Sequence, residues 1–193
     1  MKKYRGLIGI IGLLLAIYGL ISAIFYSNVT WYSYFTIGGT FFLAYLNSKL
    51  KNKSIFEKSK IQIAKTYGIY LFITILIEFV GRFLLHLWIY PSFNVTEQII
   101  HVFLIGYPFA FFFIAESLTL IRKKVPSFAL TIILATLINA FFHELPNLFA
   151  WEWRYTIHYV TFEILQINIV VIVGWVILIA VPIITDKIIS HHR

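Results

Sequence analysis

Long apolar stretches alternate with short polar connections in this chain, and only every second connection is basic. Six stretches approach or exceed the length of about 20 apolar residues that a transmembrane helix needs; they cover residues 4–25, 31–50, 61–88, 96–121, 125–142 and 156–185. The chain is 60% hydrophobic and 12% charged, whereas soluble domains carry about 25% charged residues. The sequence therefore predicts an all-α integral membrane bundle of six transmembrane helices that forms a single domain over residues 1–193.

The distribution of basic residues predicts an orientation. Fourteen of the 16 Lys and Arg residues lie in or beside the N-terminus, the connections after helices two and four, or the C-terminus. Since basic connections of membrane proteins stay in the cytoplasm, both termini are expected there. Arg82 and Arg154 are the exceptions and fall in the outer half. The compact, Lys- and Ile-rich chain indicates a multi-pass protein of a prokaryotic inner cell membrane.

Charge and cysteine content exclude several classes of function. The net charge of +8 comes from residues beside apolar stretches and not from an exposed basic face, so the partners expected are membrane lipids and no nucleic acid. The absence of cysteine rules out thiolate metal sites and disulfides.

Small residues recur along the first helix at Gly12, Ala16, Gly19 and Ala23. Such a stripe lets another membrane helix approach closely. The sequence therefore predicts a packing surface on helix one, through which the chain could form a homo- or hetero-oligomer.

The third helix carries Glu78, Arg82 and His86 at intervals of four residues, which places all three on one face. Ionisable side chains inside a membrane face the protein interior or a wet cavity and mark functional sites by default. Glu78 is predicted as a catalytic residue, and Arg82 and His86 are predicted to bind substrate. The alternative interpretation is that Glu78 and Arg82 only neutralise one another.

The fifth helix is predicted to end at the polar segment His143-Glu144-Leu-Pro-Asn147, because a proline ends or bends a helix. His143 and Glu144 are candidate acid–base residues, and Asn147 is a candidate for substrate binding. The zinc-peptidase motif H-E-x-x-H is excluded, since Asn147 occupies the place of its second histidine.

Two short elements resemble those of intramembrane CAAX-type proteases, which activate water with a Glu-His-Asn site. They are E-x-x-x-R, from Glu78 to Arg82, and H-x-x-x-N, from His143 to Asn147. The family's doubled Glu is missing because Ile77 precedes Glu78, so membership is not inferred.

Four histidines on different helices share the outer half of the predicted bundle, and a single pocket could collect them. They are His86, His101, His143 and His158. His158 is predicted to be catalytic, and His101, Arg154 and Glu163 are predicted to bind substrate. If a divalent metal is bound, His86, His143 and His158 are its expected ligands, because catalytic zinc sites use three protein ligands and an open position.

Three functions are compatible with these patterns. The leading hypothesis is an outer-leaflet His/Glu/Arg pocket that binds a lipid-like or amphiphilic substrate and, in an enzyme, transforms it, because the 19 Phe, 12 Tyr and 5 Trp residues suit a greasy ligand. The second is a small proton-coupled transporter that uses Glu78, Arg82 and Glu116. The third is a non-catalytic membrane partner subunit.

Overall fold

The computed structural model describes residues 4–191 and contains six helices. They are α1 (Arg5–Tyr26), α2 (Trp31–Lys49), α3 (Lys60–Leu84), α4 (Val95–Lys124), α5 (Phe128–Ala150) and α6 (Ile169–His191). Four two-residue strands lie in the connections: β1 (Trp88–Ile89), β2 (Arg154–Tyr155), β3 (Glu163–Ile164) and β4 (Ile167–Asn168). The predicted all-helical fold is confirmed.

Five of the six helices are long and apolar enough to cross a membrane, and α2 is the exception. The sequence of α2 is rich in Ser, Thr, Gly and Tyr, and its buried residues include Thr36, Thr40 and Asn47. It packs against α1 and α4, so protein surrounds much of its surface. A helix that is enclosed in this way does not need a wholly apolar surface. The five other helices suggest a membrane-embedded protein.

The small-residue face of α1 packs against α2 of the same chain. A Cβ atom on Gly12 would lie 2.7 Å from the carbonyl oxygen of Gly38, and one on Gly19 would lie 2.8 Å from the backbone nitrogen of Phe35. Ala16 and Ala23 are buried on the same face. The small-residue face of α1 is therefore in contact with α2 of the same chain.

Helix α5 continues through Pro146 to Ala150, beyond the predicted end at residue 142. It ends at Trp151, which adopts a left-handed conformation (φ 58°) and donates its N–H to the Asn147 carbonyl at 2.9 Å. Proline removes one backbone hydrogen bond, but membrane helices tolerate it where neighbouring helices stabilise the turn. His143 and Glu144 therefore lie within a helix and not at its end.

Residues 156–168 were predicted to belong to the last helix, but α6 begins only at Ile169. Strands β3 and β4 pair antiparallel through a two-residue turn, in which Leu165 and Gln166 both have positive φ (53° and 64°). Positive φ at both central residues is the geometry that closes a tight hairpin. Asn168 then accepts a hydrogen bond from the N–H of Val170 at 2.9 Å. This segment therefore forms a hairpin and not a helix, although its composition is apolar.

Two helices contain π-helical stretches, at Glu78–Leu84 in α3 and Gln98–Gly106 in α4. The second stretch lies just before Pro108, which cannot donate a backbone hydrogen bond to the carbonyl of Leu104. The hydroxyl of Tyr67 in α3 donates to that carbonyl instead, at 2.7 Å. Such wide helical turns are frequent at functional sites, and both stretches here contribute residues to the cavity described next.

Candidate functional site

A cavity of about 440 Å³ lies where α3, α4, α5 and α6 meet the start of α2. Most of its lining is aliphatic or glycine, including Ile77, Val80, Val102, Val171 and Leu178. Its aromatic and acidic lining residues are Tyr32, Trp88, Tyr90, Tyr107, Trp153, Tyr155, Trp175, Glu144 and Glu152. No Lys, Arg or His in the described part of the chain lines it. The combination of apolar walls and a few polar groups is typical of ligand pockets.

The α3–α4 connection and the α5–α6 connection pair with each other beside the cavity. Strands β1 and β2 pair antiparallel, with Trp88 opposite Tyr155 and Ile89 opposite Arg154. The N–H of Thr156 also donates to the Leu87 carbonyl at 2.9 Å. Because Trp88 and Tyr155 both line the cavity, this pairing fixes part of its wall.

Glu144 presents its carboxyl group to the cavity and is held by three ring donors. Its Oε1 accepts hydrogen bonds from the Tyr155 hydroxyl at 2.8 Å and from the Trp175 indole N–H at 2.9 Å, and its Oε2 accepts one from the Trp153 indole N–H at 3.2 Å. None of the ion pairs of residues 4–191 involves Glu144. Its carboxyl group is thus oriented without a basic partner.

Glu78 is 1% exposed and lies behind the cavity wall. Its Oε1 accepts hydrogen bonds from the Tyr90 hydroxyl at 2.7 Å and the Trp88 indole N–H at 3.1 Å. Its Oε2 lies 3.9 Å from the Arg82 guanidinium. Glu78 therefore orients two lining rings, and it also forms the intrahelical ion pair that the alternative interpretation of this motif predicts.

His143 is fully buried, and its hydrogen bond to Tyr32 connects it to the cavity lining. The Tyr32 hydroxyl and Nδ1 of His143 lie 2.7 Å apart. The imidazole packs against the rings of Phe35, Phe113 and Trp175, with centroid distances of 5.2, 5.0 and 4.8 Å. Its Nε2 is buried without a hydrogen-bond partner among the described residues. The Tyr32 phenol, which lines the cavity, is the group through which this pair could exchange a proton with a ligand.

Glu152 follows α5 and is 1% exposed. Its Oε2 accepts one long hydrogen bond, 3.4 Å, from the backbone N–H of Tyr32. Within residues 4–191 its other oxygen has no hydrogen-bond partner and the carboxyl group has no basic partner. Burial raises the pKa of the Glu152 carboxyl well above its usual range, and the Tyr32 N–H offsets this only in part. Such a carboxyl group is a candidate ligand contact.

The predicted substrate-binding residues of α3 and α4 lie outside the cavity lining. Arg82 donates to the Gln98 side chain at 2.6 Å, and its guanidinium lies 5.2 Å from the centroid of the Tyr90 ring. His101 shares a hydrogen bond of 2.9 Å with the Ser33 hydroxyl and packs against Phe93. Both residues hold neighbouring elements together at the edge of the site.

The remaining predicted site residues are dispersed. His86, His158 and Glu163 are exposed, and Arg154 is exposed with its guanidinium 3.7 Å from the centre of the Trp151 ring. Asn147 is buried and bonds the backbone of Trp153 twice, so it positions a lining ring. The structure does not bring Arg82, His86, His143 and His158 together in one recess.

The expected metal ligands His86, His143 and His158 do not form a site either. No group of three His, Asp or Glu side chains within residues 4–191 is arranged to hold a metal ion. The physical reason is their burial: His143 is enclosed by aromatic rings, whereas His86 and His158 lie on the surface.

Sequence reasoning overlooked most of the residues that line this cavity. Glu152 stands between Trp151 and Trp153 in a connection, and Tyr32 and Trp175 stand among many other aromatic residues. The sequence offered one signal for Glu152, which is an acidic residue between two tryptophans. Comparison of the chain with protein-family models, with curated proteins and with solved structures found no match.

Proposed function

We propose that this chain is a six-span membrane protein with cytoplasmic termini, whose cavity binds a lipid-like or amphiphilic ligand in the outer half of the membrane. The observation that carries the proposal is the cavity itself, whose aliphatic walls meet a carboxyl group of Glu144 held by three ring donors. Apolar walls suit an acyl or isoprenoid chain, and a few fixed polar groups orient a head group.

The position of the cavity supports this assignment. It lies on the side of the bundle opposite the basic connections around Lys53 and Arg122, and the tryptophans and tyrosines around it suit the depth of lipid head groups. The alternating basic connections support the cytoplasmic placement of the termini, and the length of α2, 19 residues, supports counting it as a sixth span.

Chemistry on the bound ligand would be carried by the Tyr32 hydroxyl, which lines the cavity and is hydrogen-bonded to His143. A phenol paired with an imidazole can act as a general acid or base.

A proton-coupled transporter has weaker support. Glu116, the inner member of the pathway expected for it, accepts hydrogen bonds from the Asn47 side chain at 2.7 Å and the Ile55 N–H at 2.6 Å. These contacts join α4 to α2 and to the connection that follows α2. They favour a structural role for Glu116.

Filling the cavity tests the proposal. A Cβ atom on Gly174 would meet no atom within 4 Å, and Gly174 lines the cavity. Gly174→Leu should therefore fold while placing a side chain in the ligand's space. The protein is purified in nanodiscs, and a photoactivatable fatty alcohol is crosslinked to it.

Crosslinked peptides from α3, α5 and α6 are expected in the wild type and should be lost in Gly174→Leu. The matched control is Gly68→Leu, because a Cβ atom there also meets open space but Gly68 is exposed outside the cavity. Crosslinking that is equal in all three proteins would refute the proposed function.

A further inference from the structure

The carboxyl groups that line the cavity have no basic partner in its described lining. Glu144 and Glu152 line it, while the described lining contains no Lys, Arg or His. The nearest basic candidates from the sequence are engaged elsewhere: Arg82 bonds Gln98 and approaches Glu78, and Arg154 lies over Trp151 at the surface. An anionic head group would find no counter-charge here.

Within the described part of the chain, one oxygen of Glu152 has no hydrogen-bond partner. The residue is 1% exposed, its single hydrogen bond is the 3.4 Å contact with the Tyr32 N–H, and it lines the cavity. A buried carboxyl group that lacks partners is costly unless a ligand supplies a charge or a donor. This observation is independent of the aromatic lining and points to a ligand with a positive or donating group.

The rings supply a second kind of attraction for a cation. Tyr32, Trp153 and Trp175 surround the Glu144 side of the cavity, and the faces of such rings attract ammonium groups through their quadrupoles. Aromatic cages of this composition are a general means of recognising quaternary ammonium ligands. Apolar walls, aromatic rings and uncompensated carboxyl groups together select one ligand chemistry.

We propose that the ligand is a cationic amphiphile, an apolar chain with an ammonium head group placed against Glu152, Glu144 and the surrounding aromatic rings. This inference rests on the proposed function and specifies its ligand class. It commits to a net positive charge, because the phosphate of a zwitterionic lipid would find no basic partner in the lining.

Probes that differ only in their head group test the inference. Bromoundecyl chains with trimethylammonium, maltoside, sulfate or phosphocholine heads are added to the protein in neutral phosphatidylcholine nanodiscs, and bromine quenching of tryptophan fluorescence is recorded. In the Gly174→Leu protein, whose cavity is filled, the remaining quenching comes from probe in the lipid phase. This background is subtracted from the quenching of the wild type. The trimethylammonium probe is expected to half-saturate at a concentration about tenfold lower than the other three.

Variants then assign the preference to the site. Glu152→Gln should reduce the tenfold preference for the trimethylammonium probe to about threefold, since it removes one of the two lining carboxyl groups while Glu144 and the aromatic rings remain. The matched control Glu163→Gln makes the same change at an exposed hairpin residue and should retain the preference. If Glu152→Gln fails to fold, the wild-type head-group series still decides the question.

The outcomes separate the two claims. Saturable quenching that is equal for the maltoside, sulfate or phosphocholine probe and the trimethylammonium probe would overturn the cationic ligand while leaving an amphiphile-binding cavity in place. A preference unchanged in Glu152→Gln would overturn the role given to that carboxyl group. No quenching beyond the Gly174→Leu level for any probe would overturn the proposed function itself.

Discussion

The hydroxyl of Tyr32, in the first turn of α2, lies 2.7 Å from Nδ1 of His143, in the middle of α5. This contact links two helices that are 111 residues apart in sequence. It joins a fully buried imidazole to a phenol that lines the cavity. Loss of either group leaves the other without its hydrogen-bond partner. Because both groups lie in a low-polarity environment, water does not replace that partner.

Tyr32→Phe is expected to lower the free energy of unfolding by about 1–3 kcal/mol, because Nδ1 of His143 becomes a buried, unsatisfied polar atom. Chemical unfolding in detergent micelles measures the change. The double variant Tyr32→Phe/His143→Leu should lose less stability than the sum of its single variants, since the unsatisfied atom disappears with the imidazole.

Tyr34→Phe is the control for this change. Tyr34 lies on the same helix, and its hydroxyl has no hydrogen-bond partner within residues 4–191. An equal loss in Tyr34→Phe and Tyr32→Phe, or strict additivity in the double variant, would contradict the assigned hydrogen bond.

Glu152 should make stability fall as pH rises. Its pKa in the folded protein is raised by burial, so the folded state binds this proton more tightly than the unfolded state. Stability is therefore greatest below the unfolded pKa of about 4.3 and declines as pH rises toward the folded pKa, by at most about 1.4 kcal/mol per pH unit for one group.

The group in contact with Glu152 is the backbone N–H of Tyr32 in α2, and Glu144 of α5 lines the same cavity. Glu152→Gln removes the ionisable group and should flatten the decline of the melting temperature as pH rises above the unfolded pKa of about 4.3. The melting temperature in nanodiscs is the measurement. Glu163→Gln should leave the decline unchanged, and a parallel pH profile for Glu152→Gln and wild type would contradict the argument.

Gly81 permits the close approach of the Trp88 indole to α3. A Cβ atom at this position would overlap the six-membered ring of Trp88. The indole N–H of Trp88 donates to Glu78, and the residue lines the cavity. Gly81→Ala should displace the ring, lower the free energy of unfolding by about 1–3 kcal/mol through overpacking and weaken binding of the trimethylammonium probe. Gly68→Ala is the control, because a Cβ atom there meets open space and Ala favours a helix more than Gly does. A similar loss in both variants would contradict the role given to the Trp88 contact.

Helix content followed from the sequence because apolar stretches of membrane length have few alternatives to a helix. The ends of α1 and α2 were predicted within one residue. The start of α6 was wrong by 13 residues, since the hairpin at Leu165 and Gln166 depends on backbone dihedrals that composition does not reveal. The end of α5 was predicted at residue 142 because of Pro146, but the helix continues to Ala150. The hydrogen bonds of Asn147 with the backbone of Trp153 support the turn after Pro146.

The candidate site was less accessible to sequence reasoning. His143 and Glu144 were predicted as acid–base candidates at the end of a helix, whereas both are buried within α5. Their partners Tyr32, Tyr155 and Trp175 are distant in sequence. Histidines at one predicted depth need not converge, because depth fixes only one of three coordinates. The direction in which each helix face points decides the other two, and the sequence of a single chain does not specify it.

If α2 crosses the membrane, the residues before and after it lie on opposite sides of the membrane. The chain contains no cysteine, so single cysteines can be introduced at Ser27 before α2 and Lys53 after it, both of which are exposed. If α2 spans, Ser27→Cys reacts with a membrane-impermeant maleimide in intact cells, whereas Lys53→Cys reacts only after lysis. The control is a helix that is long and apolar enough to span, α4. Its two ends are tested with Ser92→Cys and Lys124→Cys, both at exposed residues. Reaction of Ser27→Cys and Lys53→Cys from the same side would reduce the count to five spans and place the two termini on opposite sides.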